Sequence, residues 1–206
     1  MIGRRWEGRS IFLMPFLPED IDTTYEWFND PAYWSGMELK TPGAYSETME
    51  HRADTADWTI WSVMTRVSAQ SWQCGQSPRE LIGYASLSDF RFGRLARNSY
   101  AYLRPEARGN GYGRELIALR CSYAFDFLGM EMVETTTTTE NVAARRALES
   151  VGYECTGKIV RDDFIDGRWH DSLIYVLFRE QFDQATSQRE SDHETEEHRT
   201  PVLTRS

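Results

Sequence analysis

Apolar positions recur with period two over some short stretches and at three-to-four spacing over others, and the changes of period mark out the elements. SIFLMPFLPED predicts a first strand ending at Pro18. Ile21, Thr24, Tyr25 and Phe28 then fall at helical spacing, and Asn29, Asp30 and Pro31 stop that helix. Residues 32–45 are aromatic and loop-like, and SETMEHRADTAD predicts a second helix capped by Ser46. WTIWSVMTRV and LIGYASLS read as strands on either side of the polar loop SAQSWQCGQSPRE. DFRFGRLAR is a connection, NSYAYL a strand, and ELIALRCSYAFDFLG a helix. MEMVETTTTT is a strand rich in β-branched residues. Asn141 caps VAARRALESV, whose Ala144, Leu148 and Val151 share a face and which Gly152 stops. YECTGKIVRDDF and RWHDSLIYVLF flank IDG, a hairpin signal.

Helices and strands alternate through the middle, and no internal repeat appears. The pattern predicts an α/β fold: a single domain over residues 1–182, with a mixed twisted sheet flanked by helices. The last 24 residues, 183–206, are polar, with six acids against three arginines. They read as a disordered tail.

Composition narrows the function. Hydrophobic residues make up 40% and charged residues 27% of the 206, as in a soluble globular protein. The formal charge of −9 argues against non-specific nucleic-acid binding, which needs a basic surface. No apolar run is long enough to span a membrane, and no signal peptide is visible. Cys74, Cys121 and Cys155 are odd in number and widely spaced, without a CxxC pair. They read as reduced thiols of a cytoplasmic protein, neither a disulfide frame nor a zinc site. No metal is expected.

The chemistry concentrates in RPEARGNGYGRE, residues 104–115, between a strand and a helix. A dinucleotide fingerprint needs G-x-G-x-x-G, but the sixth position from Gly109 is Arg114 and from Gly111 is Leu116. A Walker loop needs a lysine that is absent here. R-x-x-G-x-G, from Arg108 to Gly113, does fit: its amides can converge on a pyrophosphate at the positive end of the following helix. The plainer alternative is a tight strand–helix turn.

The stretch LRPEARGNGYGRELIALRCSYAFDFLGMEMVE resembles motif A of the GNAT superfamily of acyl-CoA-dependent N-acyltransferases. ENVAARRALESVGYECTGK resembles the motif that follows it, and FIDGRWHDSLIYVLFRE the final hairpin. The hairpin and MPFLPEDIDTTYEWFNDP are similar to the subgroup that acetylates ribosomal-protein N-termini and small amines. The resemblance covers about residues 10–180. It implies acetyl-CoA as cosubstrate, an amine acceptor and direct attack on the thioester, in a monomer or homodimer. It implies that the backbone of Tyr100 to Leu103 binds the pantetheine arm, with an amide near Tyr102 or Leu103 facing the thioester oxygen. Cofactor contacts are implied for Leu103, Arg104, Arg108, Gly109, Asn110, Gly111, Tyr112 and Gly113, and for Asn141, which also reads as a helix cap.

Two positions depart from the resemblance. Leu148 stands where many of those proteins carry a proton-donating tyrosine, and Asn98 where many carry a glutamate. Asp89 is then a candidate base, through water, against its plainer reading as a turn residue. Ser150 and Tyr153 are weaker candidates for the acid, and no acid is needed if the thiol, with a reference pKa of about 8.5, leaves unaided. His170 reads as a surface residue beside the hairpin turn. The acceptor is expected among Trp27, Tyr33, Trp34, Tyr45 and Trp58, with Tyr33 and Trp34 in a loop and Trp27 at a spacing that also suits core packing. A non-catalytic acyl-CoA-binding or sensing module is the alternative of another class, and a nucleotide-binding regulator is weaker because both nucleotide fingerprints fail.

Overall fold

The computed structural model describes residues 6–28, 42–54, 58–66, 79–91, 94–165 and 167–197. A short β1 (Trp6–Glu7) pairs with β2 (Ile11–Pro15), and a single 3₁₀ turn leads to α1 (Ile21–Phe28). Then come α2 (Pro42–Asp54), β3 (Trp58–Arg66), β4 (Arg79–Arg91) and β5 (Leu95–Leu103). α3 (Tyr112–Ser122) continues into one π turn, followed by β6 (Met132–Thr138), α4 (Val142–Glu149), the hairpin β7 (Glu154–Ile165) and β8 (Arg168–Phe178), and α5 (Arg179–Glu197).

Among the described residues the strands form one mixed sheet in the order β1-β2-β3-β4-β5-β6-β8-β7. Every neighbouring pair is antiparallel except β5 and β6. The parallel pair needs a crossover, and α3 supplies it. The sheet separates two apolar layers. On one side Leu116, Ile117 and Cys121 of α3, Ala124 of the π turn and Leu148 of α4 pack on Ile82, Leu87, Ala96, Val133 and Leu177. On the other, Phe16, Ile21, Tyr45 and Met49 pack on Ile60, Tyr84 and Tyr102.

The pleat does not keep one phase along β4 and β5. Met64 faces Leu81 but Val63 faces Gly83, so Ile82 is an extra residue and β4 bulges there. The bulge puts Ile82 and Ala85 in one core and Tyr84 in the other. A second change falls at Asp89, whose φ of 55° is in the left-handed region. Leu87 and Phe90, three residues apart, consequently face the same layer, whereas Ala96 and Tyr102 face opposite ones.

Several expectations need correction. Helix α2 begins at Pro42, so Ser46 lies inside it and donates to Glu50 Oε1 (3.1 Å) rather than capping it. DFRFGRLAR is largely strand, because β4 runs to Arg91 and β5 starts at Leu95. Residues 183–197, expected within a tail over 183–206, continue α5, which anchors at Phe182, buried with its ring 5.4 Å from Phe125, and 198–206 lie outside the described residues. Among the described residues no helix is long and apolar enough to cross a membrane. Cys121 is buried and Cys155 exposed, both free thiols, while Cys74 lies outside the described residues.

Candidate functional site

The sheet opens at its centre. Among the described residues β5 and β6 pair only at Leu95 with Met132 and Ala96 with Val133. Beyond that, β5 stays with β4 as far as Leu103, while β6 stays with β8 as far as Thr138. The two parallel strands therefore diverge into a slot, lined on one side by the backbone from Tyr100 to Leu103. A backbone edge that has left its ladder can bond an extended ligand instead.

The glycine loop closes the wide end. A 3₁₀ turn, Pro105–Ala107, carries the chain from β5, and Gly109 (φ 78°) and Gly111 (φ 80°) are both left-handed. Gly111 is the N-cap of α3, and the first backbone bond into that helix runs from Glu115 N to Gly111 O (3.3 Å). The amides of Tyr112, Gly113 and Arg114 precede it, as orphan donors at the positive end of the helix. A Cβ at Gly109 or Gly111 would meet nothing within 4 Å, and one at Gly113 would only touch Leu103 Cδ1 at 4.0 Å. The chain thus leaves open space over three glycines, and Gly113, with no unusual φ, has no internal reason to be glycine. That geometry suits an anionic group.

The side chains around the loop divide into two kinds. Asn110 Nδ2 donates to the carbonyls of Ala107 (3.4 Å) and Arg108 (3.2 Å), so it shapes the loop. Arg108 is exposed; its Nε donates to Leu103 O (2.9 Å) and its guanidinium lies 5.8 Å from the Tyr102 ring centre. Arg104 bonds Glu80, and its backbone N donates to Ile82 O (2.9 Å) at the bulge. Gly83, in the same bulge, is a position that sequence reasoning missed: a Cβ there would lie 2.1 Å from Tyr102 O. The close approach of two backbones demands glycine, and a strand containing one isolated glycine was the available signal.

On the layer opposite α3, Tyr84, Tyr100, Tyr102 and Trp27 form an aromatic wall. Tyr84 pairs directly with Tyr102 across β4 and β5, their rings 5.5 Å apart, and Tyr100 stacks on Tyr84 at 5.7 Å. Trp27 of α1 stacks on Tyr102 at 5.9 Å, and Tyr25 lies 5.6 Å from Tyr45. Trp27 and Tyr45 are brought together here, whereas Trp58, half-buried, opens β3. Tyr33 and Trp34 lie outside the described residues. The three strand tyrosines were read only as strand formers, because their convergence depends on register.

The candidate proton carriers do not converge on the slot. Asp89 lies five residues along β4 from Tyr84, the partner of Tyr102, or on the order of 17 Å at strand rise. Its carboxylate bonds Arg91, and its left-handed φ makes it the pivot of the pleat. Ser150 Oγ donates to Ala147 O (2.8 Å) at the end of α4. Tyr153 is buried, with its hydroxyl 3.3 Å from Cys121 Sγ, and burial pushes its pKa well up. Leu148 is buried in the α3–α4 core. Asn98 faces Ser88 in the β4–β5 ladder. Asn141 is a helix cap in fact: its Oδ1 accepts from Ala144 N (3.1 Å). His170, expected at the surface, is buried: its Nδ1 lies 3.3 Å from Glu140 Oε1, and Nε2 accepts from Arg168 Nε (3.2 Å). Among the described residues no three His, Cys, Asp or Glu side chains cluster as a metal site.

A mixed sheet parted between two parallel strands, with a glycine turn and a helix start at the mouth, defines the acyl-CoA-dependent acetyltransferase fold. The chain belongs to the acetyltransferase (GNAT) domain family, which matches residues 10–154. Spermidine N(1)-acetyltransferase of Vibrio cholerae is 28% identical over 100 residues, covering 48% of this chain and 58% of that enzyme. An SPbeta prophage-derived N-acetyltransferase of Bacillus subtilis is 21% identical over 181 residues, 86% of this chain and 95% of that protein. The Vibrio cholerae spermidine N-acetyltransferase crystallised with CoA and spermine superposes with a TM-score of 0.73 at 19% identity, over 84% of this chain and 97% of that one. A Bacillus anthracis GNAT acetyltransferase superposes at 0.70 and 14%. None of these relatives is named for ribosomal proteins, and that narrower resemblance finds no support.

Proposed function

We propose that this protein transfers an acetyl group from acetyl-CoA to a primary amine of an acceptor that carries positive charge elsewhere in the molecule. The observation that carries the reading is the slot between β5 and β6 with the glycine loop at its mouth. On this reading the amides from Gly109 to Gly113 and the side chain of Arg108 receive the pyrophosphate. Leu103 and Arg104 receive the start of the pantetheine arm, and Asn141 flanks it. The arm runs along Tyr100 to Leu103, and a backbone amide at Tyr102 or Leu103 donates to the thioester oxygen as it gains charge.

The amine must arrive neutral. Its nitrogen forms the C–N bond to the thioester carbon, the C–S bond breaks, and the sulfur takes the electron pair. The nitrogen sheds a proton to solvent and the thiolate is free to gain one. No dedicated acid is assigned, and Asp89 is not retained as the base, because its place at the pleat pivot is too far along β4. The two half-buried outer rings of the aromatic wall, Trp27 and Tyr100, support a cationic acceptor, since ring faces attract ammonium groups. The net charge of −9 favours the same choice, as does a relative named for spermidine. A polyamine is therefore the first acceptor to try, ahead of a protein N-terminus.

Thermal unfolding with and without acetyl-CoA tests the cofactor half. Ligand at about a hundred times its Kd adds ~2.7 kcal/mol of stability. Thiol release across a panel of polyamines, aminoglycosides, amino-acid amides and peptides tests the acceptor half. The second reading, a non-catalytic acyl-CoA sensor, is favoured by the burial of Leu148. Binding without turnover on any amine would select it.

A further inference from the structure

Once β5 leaves β6, its carbonyls need new partners, and two buried side chains supply them. Thr135 Oγ1 of β6 donates to Ser99 O (2.9 Å). Arg120 Nη1 of α3 donates to Tyr100 O (2.8 Å). The two donor residues are 4% and 2% exposed; the Thr135 bond is buried and the Arg120 bond partly so. They act on consecutive carbonyls of β5 just past the point where the backbone ladder ends at Ala96.

Arg120 is the anomaly. It occupies the apolar stripe of α3, flanked by Leu116, Ile117, Cys121 and Ala124, where helical spacing calls for a hydrophobic residue. Among the described residues no carboxylate pairs with it, and its Nε makes no hydrogen bond. Its guanidinium also interacts with the buried Tyr153 hydroxyl. A buried cation without a counter-ion is costly, and an apolar side chain of similar volume is often at least as stable. Stability alone does not account for an arginine here.

We infer that Arg120 and Thr135 are positioning residues that hold the diverging segment of β5 at a fixed distance from β6, and so set the slot for the pantetheine arm. The inference rests on the acyl-CoA reading of the slot. Both side chains bond β5 carbonyls just past the divergence, one from the crossover helix and one from the departing strand. The backbone of Ala101 to Leu103 is then left at a defined height for a ligand.

The test compares full-length wild type with Arg120→Met, Arg120→Lys, Thr135→Val and Thr135→Ser. Acetyl-CoA affinity is measured by calorimetry, and unfolding without ligand is measured on each. Arg120→Met is expected to keep or raise the unfolding midpoint while weakening acetyl-CoA binding by about tenfold or more, because the guanidinium bond to Tyr100 O is lost. Arg120→Lys, which can still reach a carbonyl, restores most of the affinity. Thr135→Val weakens binding several-fold and Thr135→Ser restores it. In turnover the KM for acetyl-CoA rises and that for the amine holds. Wild-type affinity in both Arg120→Met and Thr135→Val would overturn the inference, and so would an affinity loss that only tracks the folded fraction. If Arg120→Met does not fold, Thr135→Val decides alone. If wild type itself binds no acetyl-CoA, the reading of the slot fails and the inference with it; if wild type binds and the variants match it, only the inference fails.

Discussion

The glycine loop and the slot it closes are neighbours built in different ways. The loop is local. Two left-handed glycines, one asparagine bonded to carbonyls two and three residues back, and the start of α3 define it within about one turn of chain. The slot is non-local. Its edge is β5, its far wall is β6, and the side-chain bonds that hold β5, one from β6 and one from α3, join residues 36 and 20 positions apart in sequence. A bulge in a third strand, at Ile82 and Gly83, shapes it as well. Substitutions in the loop should therefore alter ligand binding with little effect on folding, whereas substitutions in the slot couple the two.

The largest effect separates the regions most cleanly. Gly111→Glu should abolish acetyl-CoA binding by placing a carboxylate where phosphates are expected, while circular dichroism stays native. The left-handed φ of 80° adds a strain cost of ~1–2 kcal/mol in unfolding. Unchanged ligand affinity would end the loop's assignment. Gly83→Ala probes the other region. Its Cβ would meet Tyr102 O at 2.1 Å, so backbone must move, at a cost of ~1–3 kcal/mol by the measure of overpacked cores. Denaturant melts and acetyl-CoA titrations should deteriorate together; a full loss of affinity at wild-type stability would contradict the coupling.

Gly113→Ala is the subtler probe of the loop. A methyl group there meets only Leu103 Cδ1 at 4.0 Å, in ordinary contact. Helix propensity should hold stability constant or raise it by up to about 1 kcal/mol, while acetyl-CoA affinity falls. An alanine that leaves affinity unchanged would show that no ligand occupies the space. The smallest effect lies away from both regions, in the β7–β8 hairpin, and serves as the control. Lys158, at 2.6 Å, and the backbone N of Arg161 hold the Asp171 carboxyl below its ordinary value of 3.8. A lowered folded-state pKa contributes stability that is present above about pH 4 and lost as pH falls through the folded value. Melting midpoints should drop less between pH 5 and 3 in Asp171→Asn than in wild type, with acetyl-CoA affinity unchanged at pH 7.

How much was legible follows the same division. The R-x-x-G-x-G spacing, the Asn141 cap and the order of strands and helices depend on neighbours in sequence, so periodicity and turn chemistry reveal them. Asp89 shows the limit. Its position just after a run of alternating residues gave it a turn reading and a catalytic one, but it is a left-handed residue inside a continuous strand, bonded to Arg91. His170 shows it again, since the partners that bury it, Glu140 and Arg168, include one brought in from the end of β6. The polar tail misled for a simpler reason. Polarity predicts exposure, and Glu180, Asp183, Gln184, Ser187 and Gln188 of α5 are exposed, yet one buried phenylalanine and the end of β8 suffice to start a helix.

By itself the sequence determined the alternation of elements, the glycine loop and the likeness to one enzyme family, because each is written in residues close together along the chain. Tertiary structure decided where β5 and β6 part, that Tyr84, Tyr100, Tyr102 and Trp27 stack into one wall, and that Arg120 is buried beneath the slot. Strand register and bulges settle those points, and a single residue's shift in either would send each side chain to the opposite face of the sheet.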